Sequence, residues 1–395
     1  MKDLHQKFQK FIDNGLYQGA EWKINHRGNI FEGTVGYSDL SKPSLLQRNS
    51  IYRIWSMTKP IVSVAILQLI DEKKLALEDP LNLYLPIFDN LKVLKNESSD
   101  IDDTKDLNRM PTIKDLLLHT AGFSYGFLGD EVGREYERKK LFLSDTSSLE
   151  EEINILSTCP LLFEPSKKWR YSVSVDVLGR IVEVITKDKL QNILEKKIFK
   201  PLEMNDTGFR VDKKNYHRLV TSYEYNLEKK LLSEIENQKI GFYGYPLNNA
   251  NYARGGHGLY SSLSDYSIFA NMLLTGKSQS GKVILSEKIL KLATSNFLNK
   301  SYFPLEIAIP GNENNKNTEN DLEPYGWGLG FRVLLDLEKS SNIGAIGEFG
   351  WAGAAATYFL VDPINNLSAV LMTQVLGAMP DLQKTFRKVI YSSIK

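Results

Sequence analysis

A serine and a lysine, Ser56 and Lys59, stand one helical turn apart in the first part of the chain. An apolar run follows over 61–70, so the pair should lie where a helix begins. Side chains at i and i+3 share a helix face, so the lysine ammonium can reach the serine oxygen. The unpaired N–H groups of a helix start also favour negative charge there. The spacing therefore favours a serine that can be acylated. The alkoxide that develops on its oxygen, and then the oxyanion of the substrate, would both be stabilised at this position.

The Ser-x-x-Lys spacing is weak evidence when it stands alone. It recurs at Ser392 and Lys395, where it opens no helix and is a chance match. Read alone, Ser56 is more often an ordinary helix N-cap. Other residues must therefore decide between a nucleophile and a cap.

Tyr171 is a candidate base for that serine. No histidine stands in a matching context, so a nucleophilic Ser56 needs a base other than imidazole. An ammonium such as that of Lys59 favours a phenolate, so we expect it to lower the pKa of Tyr171. The alternative is a half-buried packing tyrosine at a helix start.

A run of small residues over 349–355 is the third element, and it carries Trp351, Ala352, Gly353 and Ala354. Small side chains let a substrate approach the backbone, and an exposed strand edge would offer an N–H to an oxyanion. The alternative is a tight turn with a packed tryptophan.

The elements that must position these residues follow from hydrophobic periodicity and turn residues. Predicted helices cover 3–14, 60–74, 112–118 with Thr112 as cap, 148–157, 174–187, 190–199, 264–275, 284–296 and 382–393. Predicted strands cover 19–37 as a hairpin turning at 26–29, then 328–335, 355–361 and 367–373. The segment 89–108 reads as a surface connection, 211–254 as a polar stretch and 312–320 as a loop.

Strands at both ends and helices between predict an α+β fold with a sheet built from the two termini. We expect one domain over 1–395, with an α/β lobe at about 1–75 and 280–395. A helical lobe would occupy about 76–279, and the active site would lie between the lobes.

Composition excludes several classes of partner. Lys and Arg total 49 against 48 Asp and Glu, giving a net charge of +1 and no electrostatic case for nucleic acid or membrane. The single cysteine, Cys159, forms no intrachain disulfide, and the five histidines have no zinc-like spacing. No apolar signal core opens the chain, so we expect a cytoplasmic protein without metal or cofactor. Oligomeric state does not follow from the sequence.

Together, the three elements resemble the serine β-lactamase and penicillin-binding superfamily, whose signature begins with Ser-x-x-Lys. The segments 112–122, 201–209 and 255–262 look like those of the class C branch and its esterase relatives. The resemblance implies a β-lactamase-like fold with a mixed antiparallel sheet flanked by helices.

Carried over residue by residue, the resemblance makes Ser56 the nucleophile, Lys59 its helper amine and Tyr171 the general base. The backbone N–H groups of Ser56 and Ala354 would form the oxyanion hole. Five residues would contact the substrate: Trp351, Ala352, Gly353, Val173 and His257. For His257 a structural turn between glycines is an equal alternative.

Departures from the lactamase pattern decide the expected substrate. In the lactamase Tyr-x-Asn pattern, matched here by 171–173, the asparagine is replaced by Val173. In the Lys-Thr-Gly pattern, matched by 351–353, the lysine is replaced by Trp351 and the threonine by Ala352. Losing a charge-assisted bond to a substrate carboxylate costs about 1.5–3 kcal/mol. The chain thus resembles the family VIII carboxylesterases more closely, and we expect hydrolysis of small neutral esters.

Alternative functions stay open at this point. A β-lactamase, DD-peptidase or D-aminoacyl amidase would share the nucleophile but need a clamp for a charged group. A non-catalytic binding protein is a further alternative. The segment 122–126 also matches the Gly-x-Ser-x-Gly elbow of α/β-hydrolases around Ser124, but no strand is predicted before it.

Two further features, the segment 276–283 and Asp176, are interpreted as structural. The segment 276–283 nearly matches a phosphate-binding loop but follows a helix, so it reads as a surface turn. Asp176 could brace the helix after Tyr171, but an exposed acid in the first helical turn is the simpler account.

Overall fold

The computed structural model describes residues 3–42, 44–144, 146–235, 251–307, 322–377 and 381–394. Its strands are β1 (Gly19–His26), β2 (Asn29–Asp39), β3 (Ser44–Leu45), β4 (Ile51–Arg53), β5 (Lys92–Leu94), β6 (Thr104–Asp106), β7 (Tyr223–Asn226), β8 (Leu231–Glu234), β9 (Tyr260–Ser262), β10 (Tyr325–Trp327), β11 (Arg332–Leu334), β12 (Phe349–Ala352), β13 (Tyr358–Asp362), β14 (Leu367–Met372) and β15 (Val375–Leu376). Its α-helices are α1 (Leu4–Asp13), α2 (Thr58–Asp71), α3 (Ile113–Leu117), α4 (Glu131–Arg138), α5 (Leu149–Leu156), α6 (Ser174–Thr186), α7 (Leu190–Leu194), α8 (Lys200–Leu202), α9 (Leu263–Thr275), α10 (Glu287–Ala293) and α11 (Asp381–Ile394).

The two chain ends meet in one antiparallel sheet, as predicted. Its order is β10-β11-β12-β13-β14-β1-β2-β3, so the first strand of the chain pairs with one of the last. Trp22 of β1 stands opposite Leu371 of β14 on one side and Gly33 of β2 on the other. The α+β, β-lactamase-like architecture expected from the sequence is confirmed.

Helices cover both faces of this sheet. On one face α1 and α11 pack together, where Phe8 lies 5.0 Å edge-on from Trp22 and 6.2 Å from Phe386 between ring centroids. On the other face the rings of α9 contact β13, with Tyr266 centred 5.2 Å from Phe359. Burial of these apolar faces is what holds helices against a sheet.

The helix α2 is the central helix of the fold. Every residue from Thr58 to Leu69 is buried, as expected for a helix that is apolar on all sides. It begins two residues before the predicted start, directly after a 3₁₀ turn at Trp55–Met57. That turn is held from α9 by the Tyr266 hydroxyl, which donates to the Met57 carbonyl at 2.9 Å.

Local capping signals in the middle of the chain were read correctly. Thr112 caps α3 in a capping box with Asp115, because each side chain bonds the other residue's backbone N–H. The predicted helical lobe, about 76–279, is not made of helices alone, because the strands β5 to β9 also lie within it. The proposed lobe boundaries stay a prediction.

Several predicted loops and strands differ from the structure. The strand predicted over 328–335 is confirmed only in its second half, as β11; 328–331 form the turn between β10 and β11, where Gly330 has φ +94°. The surface connection 89–108 contains the hairpin β5–β6, and the polar stretch 211–254 contains β7 and β8. The loop predicted at 312–320 and the residues 236–250 lie outside the described residues.

Candidate active site

Ser56 lies in the 3₁₀ turn between β4 and α2, and its side chain reaches the surface. From Ile51 to Leu69 it is the one residue that is not buried. The preceding Trp55 is fully buried with φ +39°, a left-handed conformation that costs about 1–3 kcal/mol in a residue other than glycine. Buried surroundings thus hold a strained turn that exposes this hydroxyl.

Lys59 is buried beneath the serine. Its Nζ lies 3.1 Å from the Ser56 Oγ and donates to the Gly256 carbonyl at 2.8 Å. It also lies over the ring of Tyr171, 4.6 Å from the centroid. Burial lowers the pKa of Lys59 to about 7, against the opposing effect of the Asp176 carboxylate. Near neutral pH the lysine is therefore available as an amine as well as an ammonium.

Tyr171 is buried at the same place and hydrogen-bonds Ser56. The indole N–H of Trp351 donates to its hydroxyl oxygen at 3.3 Å. The expectation that the Tyr171 pKa is lowered is wrong, since burial raises it well above its usual value. The bonds from Ser56 and Trp351 lower it by less than burial raises it. Tyr171 is therefore a neutral phenol in the resting site.

Trp351 belongs to β12 and is almost fully buried against other aromatic rings. Its ring centroid lies 5.3 Å from Tyr171 and 4.6 Å from Trp327. The residues that follow it, Ala352, Gly353 and Ala354, are partly exposed. Most of the tryptophan therefore supports the tyrosine, and the small residues form the open surface.

Gly353 brings the turn after β12 against the serine segment. A Cβ there would lie 2.5 Å from the Ile54 carbonyl oxygen and 2.2 Å from the Thr357 Oγ1, so only glycine fits. The turn is closed by the Gly353 N–H, which donates to Thr357 at 2.8 Å. Where two backbone segments approach this closely, the residue between them must be glycine.

Two backbone N–H groups near this approach are candidates for an oxyanion hole. The Ala354 N–H donates to no acceptor within the ranges that the structure describes. The Ser56 N–H lies in the first turn before α2, where helix N–H groups lack partners within the helix. We predicted an exposed strand edge here. β11 pairs with β12 only at Phe349 and Gly350, so β11 leaves the Trp351–Ala352 end of β12 unpaired, and the Ala354 N–H lies in the turn that follows.

Asp176 is fully buried in α6, contrary to the exposed acid that its first-turn position suggested. Its Oδ1 accepts the Gly256 N–H at 2.9 Å, while the Gly256 carbonyl holds Lys59. Burial raises the pKa of Asp176 to about 6, and the Gly256 N–H, Lys59 and Arg254 oppose this effect. From the sequence we considered that Asp176 could brace its helix but preferred an exposed acid, and the complete burial of the side chain contradicts that preference.

Val173 and His257 offer little surface to a substrate. Val173 is 1% exposed, and its N–H donates to the Ser124 carbonyl at 3.1 Å. His257 is 7% exposed, and burial holds its pKa well below the usual range. Their role in substrate binding stays a prediction, and their burial argues against it.

Ser124 is a structural residue rather than the nucleophile of an elbow. It is fully buried, and its hydroxyl donates to Asp130 at 2.5 Å. Helix α3 and a turn precede it, whereas a nucleophile elbow needs a strand. The segment 276–283, which nearly matches a phosphate-binding loop, is a turn after α9, and Gly276 caps that helix in a left-handed conformation.

Within the described part of the chain, no group of three or more His, Cys, Asp and Glu side chains could hold a metal ion. No described helix has the length and hydrophobicity to cross a bilayer.

A family model described as Beta-lactamase matches residues 4–391. The chain belongs to the beta-lactamase family. This agrees with the antiparallel sheet, the buried central helix and the Ser56–Lys59 pair at its start.

Similar proteins within the beta-lactamase family include esterases. Esterase EstB of Burkholderia gladioli is 26% identical over 393 residues, covering 95% of this chain and 91% of its own. Lovastatin esterase of Penicillium rubens is 27% identical over 407 residues, covering 97% and 96%. The solved structure of EstCE1, a hydrolase with promiscuous acyltransferase activity, has a TM-score of 0.81 at 23% identity and covers 99% and 98%. The last likeness establishes the fold.

In this member of the beta-lactamase family, Tyr125 is a residue that sequence reasoning missed. Its ring centroid lies 5.1 Å from the Lys59 Nζ and 5.4 Å from the Tyr171 ring. Phe127 stacks on its other side at 4.9 Å. The signal was present in the segment 122–126, where we weighed the serine and not the aromatic residue beside it.

Proposed function

We propose that this chain is a serine hydrolase that cleaves small neutral carboxylic esters through an acyl-enzyme on Ser56. One observation carries the proposal: the Lys59 Nζ lies 3.1 Å from the Ser56 Oγ, and Ser56 is the one residue from Ile51 to Leu69 that is not buried. Two relatives that match nearly the whole chain are esterases, which supports the reaction class.

In the proposed first step, Ser56 gives its proton to the Lys59 amine as Oγ attacks the ester carbonyl. Lys59 takes this role because its pKa of about 7 leaves an amine near neutral pH. Tyr171, which we first expected to be the base, is a neutral phenol and so begins as a donor. The oxyanion that forms is stabilised by the N–H groups of Ser56 and Ala354.

The later steps return every proton. The departing alkoxide takes a proton from Tyr171, and the Lys59 ammonium restores the phenol. Water then attacks the acyl group on Ser56 and passes a proton to Lys59 through Tyr171. Collapse releases the acid as Ser56 recovers its proton. The Trp351 N–H stabilises the charge that appears on Tyr171 between these transfers.

The substrate class follows from what surrounds the serine. Where the lactamase pattern has lysine and threonine, this chain has the almost fully buried Trp351 and the partly exposed Ala352, neither of which carries a charge. The amide of the Tyr-x-Asn pattern is replaced by the buried Val173. The Lys59 Nζ is held by the Gly256 carbonyl. Uncharged acyl and alcohol groups therefore suit the site better than a carboxylate.

Family membership keeps a β-lactamase, DD-peptidase or D-aminoacyl amidase as the second candidate function. The test is hydrolysis of short p-nitrophenyl esters and a chromogenic cephalosporin by the wild type, Ser56→Ala and Ser124→Ala. We expect ester turnover that Ser56→Ala lowers by at least about 10³-fold and Ser124→Ala leaves nearly intact. Undiminished activity in Ser56→Ala refutes the proposal, and cephalosporin turnover without ester turnover favours the second candidate.

A cytoplasmic location and the absence of nucleic-acid partners stay proposals from composition. A small-molecule ester is the partner that the esterase relatives support. A mass increase on Ser56 after phosphonate labelling is expected, and its absence would favour a non-catalytic binding protein.

A further inference from the structure

A fully buried ion pair lies outside the reacting groups, between Arg254 and Glu152. The Arg254 Nη2 and the Glu152 Oε1 are 3.2 Å apart, and both side chains are closed to solvent. Burying two charges is costly, and the pair does not by itself indicate a gain in stability. Its location therefore calls for a further explanation.

The pair fastens two separate segments of the chain together. Arg254 donates to the carbonyls of Ser144 and Ser147 at 3.1 and 3.2 Å and to the Ser147 hydroxyl at 3.0 Å. Glu152 accepts the Phe142 N–H at 2.6 Å. Phe142, Ser144 and Ser147 are thus joined to the segment that begins at Arg254.

That second segment holds the proposed catalytic lysine. Gly255 and Gly256 follow Arg254, and a Cβ on Gly255 would lie 2.0 Å from the Val175 carbonyl oxygen of α6. The Gly256 carbonyl accepts Lys59 at 2.8 Å. Any movement of Arg254 would therefore be transmitted to Lys59 over two residues of tightly packed backbone.

The four buried charges also alternate in sign from the lysine outward: Lys59, Asp176, Arg254 and Glu152. The positive charge of Arg254 favours the ionised form of Asp176, and the Asp176 carboxylate favours the ammonium form of Lys59. The other polar groups that face Lys59 are Ser56, Tyr125, Tyr171 and the Gly256 carbonyl, and the buried His119 and His257 interact with its charge.

We propose that Arg254, anchored by Glu152, is a positioning residue for acyl transfer: it fixes the Gly255–Gly256 segment and the charge of Asp176, and thereby the Lys59 amine. The inference rests on the proposed function of Ser56 and Lys59. The rival account is a purely structural anchor, which would affect folding but not the protonation of Lys59.

The experiment compares two variants that differ in charge. Arg254→Lys keeps the positive charge and loses the forked hydrogen bonds, whereas Arg254→Gln with Glu152→Gln removes both charges at similar volume and leaves no unpaired ion. Arg180→Gln with Glu150→Gln is the matched control, because that ion pair also starts on α5 but joins it to α6, with the Glu150 side chain more than half exposed. Each protein is followed by thermal unfolding and by kcat/KM for a p-nitrophenyl ester from pH 5 to 9.

In the charge-free double variant, Asp176 loses the arginine that favours its carboxylate, so Lys59 loses its counter-charge and its pKa falls. We expect the acid limb of kcat/KM to move to lower pH by about half a unit or more. We also expect the plateau to fall about tenfold through misplacement of the amine. In Arg254→Lys the acid limb of kcat/KM should stay at the wild-type pH. The control variant should match the wild type over the whole pH profile.

The proposal is overturned if the double variant folds and the acid limb of its kcat/KM profile stays at the wild-type pH, whatever the height of the plateau. If the double variant does not fold, Arg254→Lys decides, because a limb moved to lower pH with the charge retained contradicts the electrostatic account. Labelling of Ser56 by a fluorophosphonate at each pH gives a second profile that needs no ester turnover. Wild-type labelling without ester hydrolysis refutes the proposed function alone, and absence of both reactions refutes the two proposals together.

Discussion

The indole N–H of Trp351 donates a hydrogen bond to the hydroxyl oxygen of Tyr171 at 3.3 Å. In the lactamase pattern a lysine stands at the position of this tryptophan. The indole keeps a donor toward the tyrosine and removes the positive charge that a substrate carboxylate would need. One residue thus accounts for both the support of Tyr171 and the expected preference for neutral esters.

Replacing Trp351 by phenylalanine should lower kcat about fivefold with little change in KM, because a neutral hydrogen bond contributes about 1 kcal/mol. The aromatic surface is kept, and only the charge that develops on Tyr171 loses its donor. Steady-state kinetics on a p-nitrophenyl ester measures the split.

Trp169→Phe is the matched control for this change. Its indole N–H is buried without an acceptor among the described residues, and its ring centroid lies 6.4 Å from that of Tyr171. Equal losses in the two variants would show that bulk, and not the hydrogen bond, is what matters.

The pH dependence of ester hydrolysis should report Lys59. Its pKa is lowered to about 7, and the amine is the form that accepts the serine proton, so kcat/KM should rise as pH increases through about 7. Asp176→Asn removes the carboxylate that favours the ammonium, and we therefore expect the limb to move to lower pH. A limb that this substitution leaves in place would contradict the assignment of the base to Lys59.

Gly353→Ala should disable the proposed oxyanion hole. The added Cβ meets the Ile54 carbonyl and the Thr357 hydroxyl, so the turn that carries the Ala354 N–H must move away from Ser56. We expect kcat to fall by about 10²-fold, which is the effect of losing one oxyanion donor.

Gly208→Ala is the control for that substitution, since the nearest atoms to its Cβ lie 3.8 and 3.9 Å away. It should retain wild-type kinetics. Wild-type kcat in a folded Gly353→Ala variant would exclude a catalytic function for this turn.

Glu21 should make stability fall as pH rises toward neutrality. It is buried in β1, accepts the Tyr52 hydroxyl at 2.6 Å, and has a pKa raised from 4.5 to about 7 by burial. Between these values the folded chain binds the proton more strongly than the unfolded chain, so stability present below pH 4.5 is lost as pH rises through 7. The difference is about 3 kcal/mol.

Chemical denaturation at several pH values between 5 and 7.5 measures this effect, and Glu21→Gln should flatten it. Glu150→Gln, which changes a glutamate on α5 whose side chain is more than half exposed, is the control. A wild-type stability that increases across the window would contradict the prediction.

Local patterns predicted much of the fold. The hairpin β1–β2, the capping box at Thr112 and the closing helix α11 each depend on neighbours within a few residues, and each was read correctly. The strand predicted over 328–335 was too long, because Gly328 and Gly330 lie in the turn before β11, and periodicity alone does not separate a long strand from a short hairpin.

What the sequence by itself determined is the Ser56–Lys59 pair, because a helix fixes the contact between positions i and i+3 whatever surrounds it. The protonation of the site was decided by tertiary structure. Burial raises the pKa of Tyr171 and lowers that of Lys59, which reverses the order we expected for the first proton transfer. The chain also brings Asp176 and Gly256 together across 80 positions to hold the lysine. Desolvation and such distant contacts exist only once the chain has packed, so they leave no local pattern to read.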